Sequence, residues 1–265
     1  MTNYFNNKTI WITGASSGIG KALVQQLNTN NTTLIISSRR NDALEEVKNS
    51  CKHPENIHIQ TLDLEDISSF ENVTKNLIDT FGKIDILINN GGISQRSLAS
   101  ETPLLIDRKI MEVNYFGNIA LTKTLLPYLQ KQQSGYIVVI SSLSGKFGFF
   151  LRSAYAASKH ALVGFYESLR LEEEKNNIKV SLVFPGLINT DISKNALTKE
   201  GQSHGKLDDK QANGISAELC AQQIIKGIER QQHEIFAGGK ELKAVWIKRL
   251  FPKLFYRLIR KQKPE

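Results

Sequence analysis

Along the chain, short apolar runs rich in β-branched residues alternate with longer stretches in which apolar positions return every three to four residues. The short runs fall at residues 9–13, 33–37, 57–61, 84–88, 136–140, 180–184 and 234–236. Several are apolar at successive positions, as strands covered on both faces are. Strands separated by helical stretches predict repeated β-α units and a parallel sheet. The expected architecture is α/β, a doubly wound parallel sheet in three α/β/α layers, with residues 1–239 as the body and 240–265 as a C-terminal extension. Ser68 followed by Glu71 has the form of a capping box, and Pro103 after Thr102 suits a first helical turn. A polar stretch at 190–214 precedes a helix starting near Ser216, and a loop of that length is a lid or a disordered segment.

At 265 residues the chain can bury the core of one large domain without disulfides or metals. Cys51 and Cys220 stand far apart in no metal-type spacing, as in a reducing compartment. The first twelve residues are polar and Asn-rich, without the basic flank and apolar run of a secretory signal. No apolar stretch approaches the roughly 20 residues that span a bilayer. The expectation is a cytoplasmic protein. His53, His58, His160, His204 and His233 are scattered, so no metal site is expected.

The net charge of +8 is unevenly spread: residues 240–265 hold nine basic side chains against Glu241 and Glu265, leaving the rest nearly neutral. A basic tail on a neutral body argues against nucleic acid as partner. Within 241–261, Leu242, Val245, Trp246, Leu250 and Phe251, then Leu254, Phe255, Leu258 and Ile259, recur at helical spacing, and Pro252 divides them into two short helices. Two readings stand: an element anchored at an anionic membrane surface, which would make the protein peripheral at a membrane, or helices docked on the domain with a solvated basic face.

The first strand runs into Thr13-Gly14-Ala15-Ser16-Ser17-Gly18-Ile19-Gly20, then a helical run at 21–27. Glycines there let backbone approach a pyrophosphate, and the helix start offers free N–H groups and a positive dipole end, as in a Rossmann-like nucleotide site. A tight glycine turn without a ligand is the alternative. In such sites an acid about 20 positions on receives the ribose hydroxyls, whereas an arginine accommodates a 2′-phosphate. The second strand ends in Ser37-Ser38-Arg39-Arg40, with no acid before Asp42. Arg39, supported by Ser38 and Arg40, therefore predicts NADP(H), against two solvated arginines at a helix start.

Tyr155 and Lys159 lie four apart in a helical run from 154 to about 175, which puts both on one face. A phenol with a pKa near 10 needs a neighbouring cation to exchange protons at neutral pH, and Lys159 can supply one. Ser142 follows the strand at 136–140, where a hydroxyl faces the crevice at the strand ends. Asn114 is a polar residue in an otherwise amphipathic helix, which a local helix irregularity or a satisfied buried amide would also explain.

The glycine spacing Gly-x-x-x-Gly-x-Gly, with Asn114, Ser142, Tyr155 and Lys159 in that order, resembles the classical short-chain dehydrogenase/reductase family. Asn89-Asn90-Gly91-Gly92 resembles its NNAG segment, with Gly91 where the family has alanine, a change that makes the strand end more flexible. Asp63, with Leu64 beside it, is similar to the family's adenine-contacting acid, and Pro185-Gly186-Leu187-Ile188-Asn189-Thr190 resembles the turn over the nicotinamide amide. The resemblance spans nearly the whole chain. It implies that Gly14, Ser16, Ser17, Gly18, Ile19, Gly20, Ser38, Arg39, Arg40, Asp63, Leu64, Asn90, Gly91, Tyr155, Lys159, Pro185, Gly186, Ile188 and Thr190 hold the cofactor. It further implies that Tyr155 carries the proton, Lys159 lowers its pKa and grips the ribose, Ser142 orients a carbonyl, and Asn114 holds a water linking Lys159 to solvent.

Phe147-Gly148-Phe149-Phe150-Leu151 favours a small apolar alcohol or ketone, or else packs against the core or another subunit. The expected protein is an NADP(H) oxidoreductase and a homo-oligomer, dimer or tetramer. An NADP-binding protein without turnover and a membrane-peripheral interaction protein are the other classes in play.

Overall fold

The computed structural model describes residues 3–262, so Lys263 and Glu265 of the basic tail lie outside the described residues. β1 (Lys8–Thr13) leads through the glycine turn into α1 (Gly18–Leu27), and β2 (Thr32–Ser37) leads into α2 (Asn41–Asn49). β3 (Ile57–Ile59), α3 (Phe70–Phe81) and β4 (Ile86–Asn89) follow. Then come α4 (Leu104–Met111), α5 (Gly117–Gln132), β5 (Gly135–Ile140), α6 (Ser153–Glu173) and β6 (Ile178–Pro185). The chain ends through β7 (Ile188–Asn189), α7 (Asp209–Ala212), β8 (Ile215–Ser216), α8 (Ala217–Glu229), β9 (Glu234–Ala237), α9 (Lys243–Leu250) and α10 (Pro252–Ile259).

Seven strands form one parallel sheet in the order β3-β2-β1-β4-β5-β6-β9. Successive side chains of a strand point to opposite faces, and here both faces are covered. Ile10 and Ile12 pack with Leu23, Leu44 and Ile224 on one side. Trp11, between them, packs with Phe70, Leu121 and Leu162 on the other. The continuous apolar runs of the sequence are the consequence. The Trp11 indole stays satisfied in the core by donating to Ser37 Oγ at 2.9 Å.

All seven expected strands form, with ends moved by a few residues. The two-residue strands β7 and β8, which pair with each other, carry too little pattern to be anticipated. The capping box at Ser68 does not form. Ser68 Oγ donates to Asp66 Oδ1 at 2.6 Å, a 3-10 turn occupies Ile67–Ser69, and α3 starts at the buried Phe70. A carboxylate two residues away outcompetes a helix amide for the hydroxyl. Pro103 stands in extended conformation just before α4, one position outside its first turn. The start near Ser216 is as expected: its hydroxyl accepts from Leu219 N at 3.2 Å.

The stretch at 190–214 is folded over the sheet's carboxyl end. Leu197 N donates to Ser94 O at 2.9 Å and Leu197 O accepts from Arg96 N at 2.8 Å. Pro252 opens α10 and splits the C-terminal stripe into two helices. Of the two readings of this segment, its inner side fits helices docked on the body. Glu241 Oε1 accepts from Leu187 N and Gly239 N, both at 2.9 Å, Lys248 Nζ donates to Lys146 O at 2.6 Å, and the Phe255 ring lies 5.0 Å from that of Phe147.

Phe255 is the one fully buried side chain of the two C-terminal helices. Phe255→Ala should cost about 3 kcal/mol, felt mainly by these helices because the sheet core does not touch it. Limited trypsin digestion should then cut within 243–261 much faster than in the parent, while the main unfolding midpoint moves little.

Candidate active site

From β1 the chain winds outward to β2 and β3, then crosses back to β4 on the other side of β1. Connections leave the carboxyl ends of β1 and β4 in opposite directions, and the gap between them is where an open α/β sheet receives ligands. A cavity of about 900 Å³ opens there.

One half of this cavity is backbone. Gly14 has φ +62°, and a Cβ on it would sit 2.7 Å from Gly91 Cα. A Cβ on Gly20 would sit 2.2 Å from Gly14 O, so the helix can start this close only with glycine there. Asn90 Nδ2 donates to the carbonyls of Thr13 and Gly14, and Thr13 Oγ1 accepts from the amides of Asn90 and Gly91, all at 3.0 Å. Ser17, at the cap position of α1, makes no capping hydrogen bond with its side chain, which leaves the first helical amides facing the cavity uncapped by it. Cradle and free amides together fit a diphosphate.

Gly14, Ser16, Ser17, Gly18, Ile19, Ser38, Arg39, Arg40, Asp63, Leu64, Asn90 and Gly91 line this half, and Pro185, Gly186, Ile188 and Thr190 face them. Gly20 does not reach the wall. It serves packing beneath the turn. Leu64 Cδ1 lies 2.6 Å from where a Cβ on Gly91 would be, so leucine fills the space an alanine would take. Arg39 and Arg40 stand exposed at the rim.

The other half is built by α6 and the loops around it. Tyr155 and Lys159 lie one turn apart, 8% and 4% exposed, with Lys159 Nζ 5.8 Å from the Tyr155 ring centre. Ser142, after β5, accepts from Ser144 N at 3.1 Å and hydrogen-bonds Tyr155. Burial pushes the Tyr155 phenol above its usual pKa, opposed by the Ser142 hydrogen bond and the charge of Arg152. Burial also lowers Lys159 from 10.5 to about 8. Its ammonium donates to Ile140 O at 2.9 Å. Arg152 thus adds a second cation beside the phenol, with Lys159 one turn away on the same helix.

Asn114 lies off the cavity wall, in a π-turn spanning Glu112–Phe116 between α4 and α5. Its Oδ1 accepts from Ile93 N at 2.8 Å, and its Nδ2 donates to Ile93 O at 2.9 Å and Ser158 Oγ at 3.0 Å. Both mundane alternatives hold at once: the helix is irregular there and the buried amide is satisfied. Its side chain ties the loop after β4 to the helix of Tyr155 and Lys159.

Two features escaped sequence reasoning. Gln95, fully buried, accepts from Ala154 N at 2.8 Å and Tyr155 N at 3.3 Å, and so caps α6 from another loop. Arg152 donates to Ser94 Oγ and approaches Asp208 Oδ2 at 3.6 Å, while Arg96 holds the same carboxylate oxygen at 2.7 Å. Asp208, from the 190–214 stretch, thereby bridges two arginines and pins that stretch beside Tyr155. The position of Arg152 one turn before Tyr155 was the available clue.

Phe147, Phe149, Leu187 and Leu197, together with Ile247, Phe255 and Leu258 of the C-terminal helices, give this half apolar walls. Phe150 packs edge-on against Phe149 at 5.8 Å, off the wall. Among the described residues no group of His, Cys, Asp and Glu could hold a metal ion.

A family model described as short chain dehydrogenase matches residues 8–201. The chain is 41% identical to the dehydrogenase/reductase SDR family protein 7-like of Anopheles gambiae, over 98% of this chain and 84% of that protein. The fold is shared with a short chain dehydrogenase/reductase from Burkholderia phymatum in complex with NAD, at TM-score 0.85 and 20% identity, covering 96% of each chain. ElxO with NADP bound matches at TM-score 0.75 and 26% identity, over 89% of this chain and 99% of its own.

A protonated Lys159 in this setting costs stability. Its folded pKa of about 8 lies below the unfolded 10.5, so the cost is present in full below pH 8, shrinks as pH rises through that interval and is gone above it. Lys159→Met should be more stable than the parent by up to about 3 kcal/mol at pH 7, less what the freed Ile140 carbonyl costs. Urea unfolding at a series of pH values should show this gain fading towards pH 10.5.

Proposed function

The chain belongs to the short-chain dehydrogenase/reductase family, and on that premise we propose that it is an NADP(H)-dependent oxidoreductase interconverting a carbonyl and a secondary alcohol on a small, largely apolar substrate. The observation carrying this reading is that Ser142, Tyr155 and Lys159 meet in the same cavity as the glycine cradle. When bound, the nicotinamide supplies or takes up the hydride. Tyr155 gives its proton to the carbonyl oxygen in reduction and takes it from the hydroxyl in oxidation. Ser142 donates a hydrogen bond to the same oxygen and holds it in line with the phenol. The phenolate left after proton transfer is stabilised by Ser142 and by the Arg152 charge, in a pocket where burial makes each contribution larger than in water. Lys159 lines the same cavity one turn from Tyr155 and would hold the ribose hydroxyls of a bound cofactor.

Family members bind either nicotinamide cofactor, so the choice rests on this chain's own residues. Ser38 stands where an acid would select NAD, and Arg39 and Arg40 are exposed beside it. The exposed Leu104, Leu105, Phe116 and Leu171 on the α4 to α6 flank support a homo-oligomer formed there, and two free cysteines support a reducing, cytoplasmic setting.

NADPH should bind at least tenfold more tightly than NADH, and Arg39→Ala should lose about 10- to 100-fold for NADPH while leaving NADH unchanged. Fluorescence titration decides this. Equal affinities unaffected by the substitution would overturn the NADP assignment.

Tyr155→Phe should keep NADPH affinity and lose at least about 10²-fold in kcat across a panel of ketones, aldehydes and quinones. Substantial turnover in that variant would place the acid elsewhere.

A further inference from the structure

The two C-terminal helices have two apolar sides. One, with Ile247, Phe255 and Leu258, roofs the substrate half of the cavity. The other points away from the body: Trp246, Leu250 and Phe251 are 59%, 64% and 61% exposed, and Leu254 and Tyr256 are also exposed. Large apolar side chains that are more than half exposed and contiguous over two helices need an occupant. Exposed cations surround them, Lys243, Arg249, Lys253, Arg257, Arg260 and Lys261, whereas Glu241, the acid of this segment within the described residues, is turned inward onto Leu187 and Gly239.

We propose that this outer face docks on an anionic membrane surface, with Trp246, Leu250, Phe251 and Leu254 entering the acyl boundary and the cations meeting lipid headgroups. Charge decides between this occupant and a second copy of the chain. A two-fold pairing through this face would set the same cations against one another, whereas an anionic bilayer complements all of them at once. No helix among the described residues is long and apolar enough to cross a membrane, and two short amphipathic helices suit docking in the interface plane. Because the docked helices are also the roof of the cavity, the substrate of the proposed oxidoreductase is a carbonyl compound held in the lipid phase, reaching the site past Phe255 and Leu258. This last step rests on the proposed function; the docking does not.

The chain carries a reporter. Of its two tryptophans, Trp11 is fully buried and Trp246 exposed, so an emission shift on adding vesicles reads out this face. Full-length protein with NADPH is titrated with phosphatidylcholine vesicles with or without phosphatidylglycerol. A blue shift, quenched by brominated acyl chains, is expected on the anionic vesicles and not on the neutral ones. Arg249→Gln/Lys253→Gln/Arg257→Gln should need roughly a hundredfold more anionic lipid, at about fivefold for each cation. Leu250→Ser/Phe251→Ser/Leu254→Ser should bind weakly and lose the bromolipid quenching. Both variants lie off the cavity wall and should keep the parent's NADPH affinity, which reports an intact body. A ketone partitioned into the vesicles should be reduced several-fold faster by the parent than by the apolar variant, with equal rates on a water-soluble ketone. No shift on anionic vesicles overturns the proposal. So does a blue shift without lipid that grows with protein concentration, which would make the face a self-association surface. Vesicle binding without any turnover leaves the docking standing and removes the oxidoreductase reading instead.

Discussion

The junction of the glycine turn with the end of β4 is the contact on which the site depends. There the backbone of Gly14 lies against Gly91, Gly20 lies against the carbonyl of Gly14, and the Asn90 amide closes the gap by holding two carbonyls at once. A Cβ on Gly14 or on Gly20 would come within 3.0 Å of a backbone atom, so neither position tolerates a side chain. This closeness brings the start of α1 to the sheet edge, and it sets the loop after β4 where Asn114 can grip Ile93. Since Asn114 also binds Ser158 on α6, and Gln95 of the same loop accepts from Ala154 N and Tyr155 N, two buried amides fix the cofactor half and the helix bearing Tyr155 to one another.

A second constraint is electrostatic. Lys159, Arg152 and Arg96 stand in or beside the substrate half, and the Asp208 carboxylate faces the two arginines. Among the described residues Lys159 has no carboxylate partner, and burial lowers its pKa to about 8, whereas Arg152 and Arg96 share Asp208. An ammonium with a pKa near the working pH can both hold and release a proton, which a fully ion-paired lysine could not. Two cations thus stand near the phenol in different settings: Arg152 shares Asp208 with Arg96, and Lys159 is held by the Ile140 carbonyl.

What could be read in the sequence was whatever local pattern encodes. Trp11 between Ile10 and Ile12 announced a strand buried on both faces, and Ser216, Pro252 and the Tyr155–Lys159 spacing each announced what they do within one helix. The Ser68 expectation failed because Asp66 competes for the same hydroxyl, a choice between neighbours that a motif does not weigh. Gln95 and Asp208 were out of reach for a different reason. Their partners, Ala154 and Arg152, lie more than fifty residues away in sequence, and a lone Gln or Asp in a loop has no periodicity. The docking of the tail belongs to the same class: the stripe predicted two helices, but nothing local told that Phe255 meets Phe147.

The two halves of the cavity are therefore held by different means, and this bears on how the molecule works. Backbone contacts at the cradle are specified by glycines and leave little freedom, as suits a ligand of fixed shape. The substrate half is closed by side chains reaching across long stretches of sequence: Asp208 to Arg152, Lys210 to Gln262, Phe255 to Phe147. Each can part without disturbing the sheet, because neither the 190–214 stretch nor the C-terminal helices contribute a strand to it. Lys210 and Gln262 join those two covers to each other at 3.1 Å, in an exposed contact worth little in water. The weakest join in the cavity wall is thus where the 190–214 stretch meets the C-terminal helices, at the edge next to the outward apolar face and away from the glycine cradle.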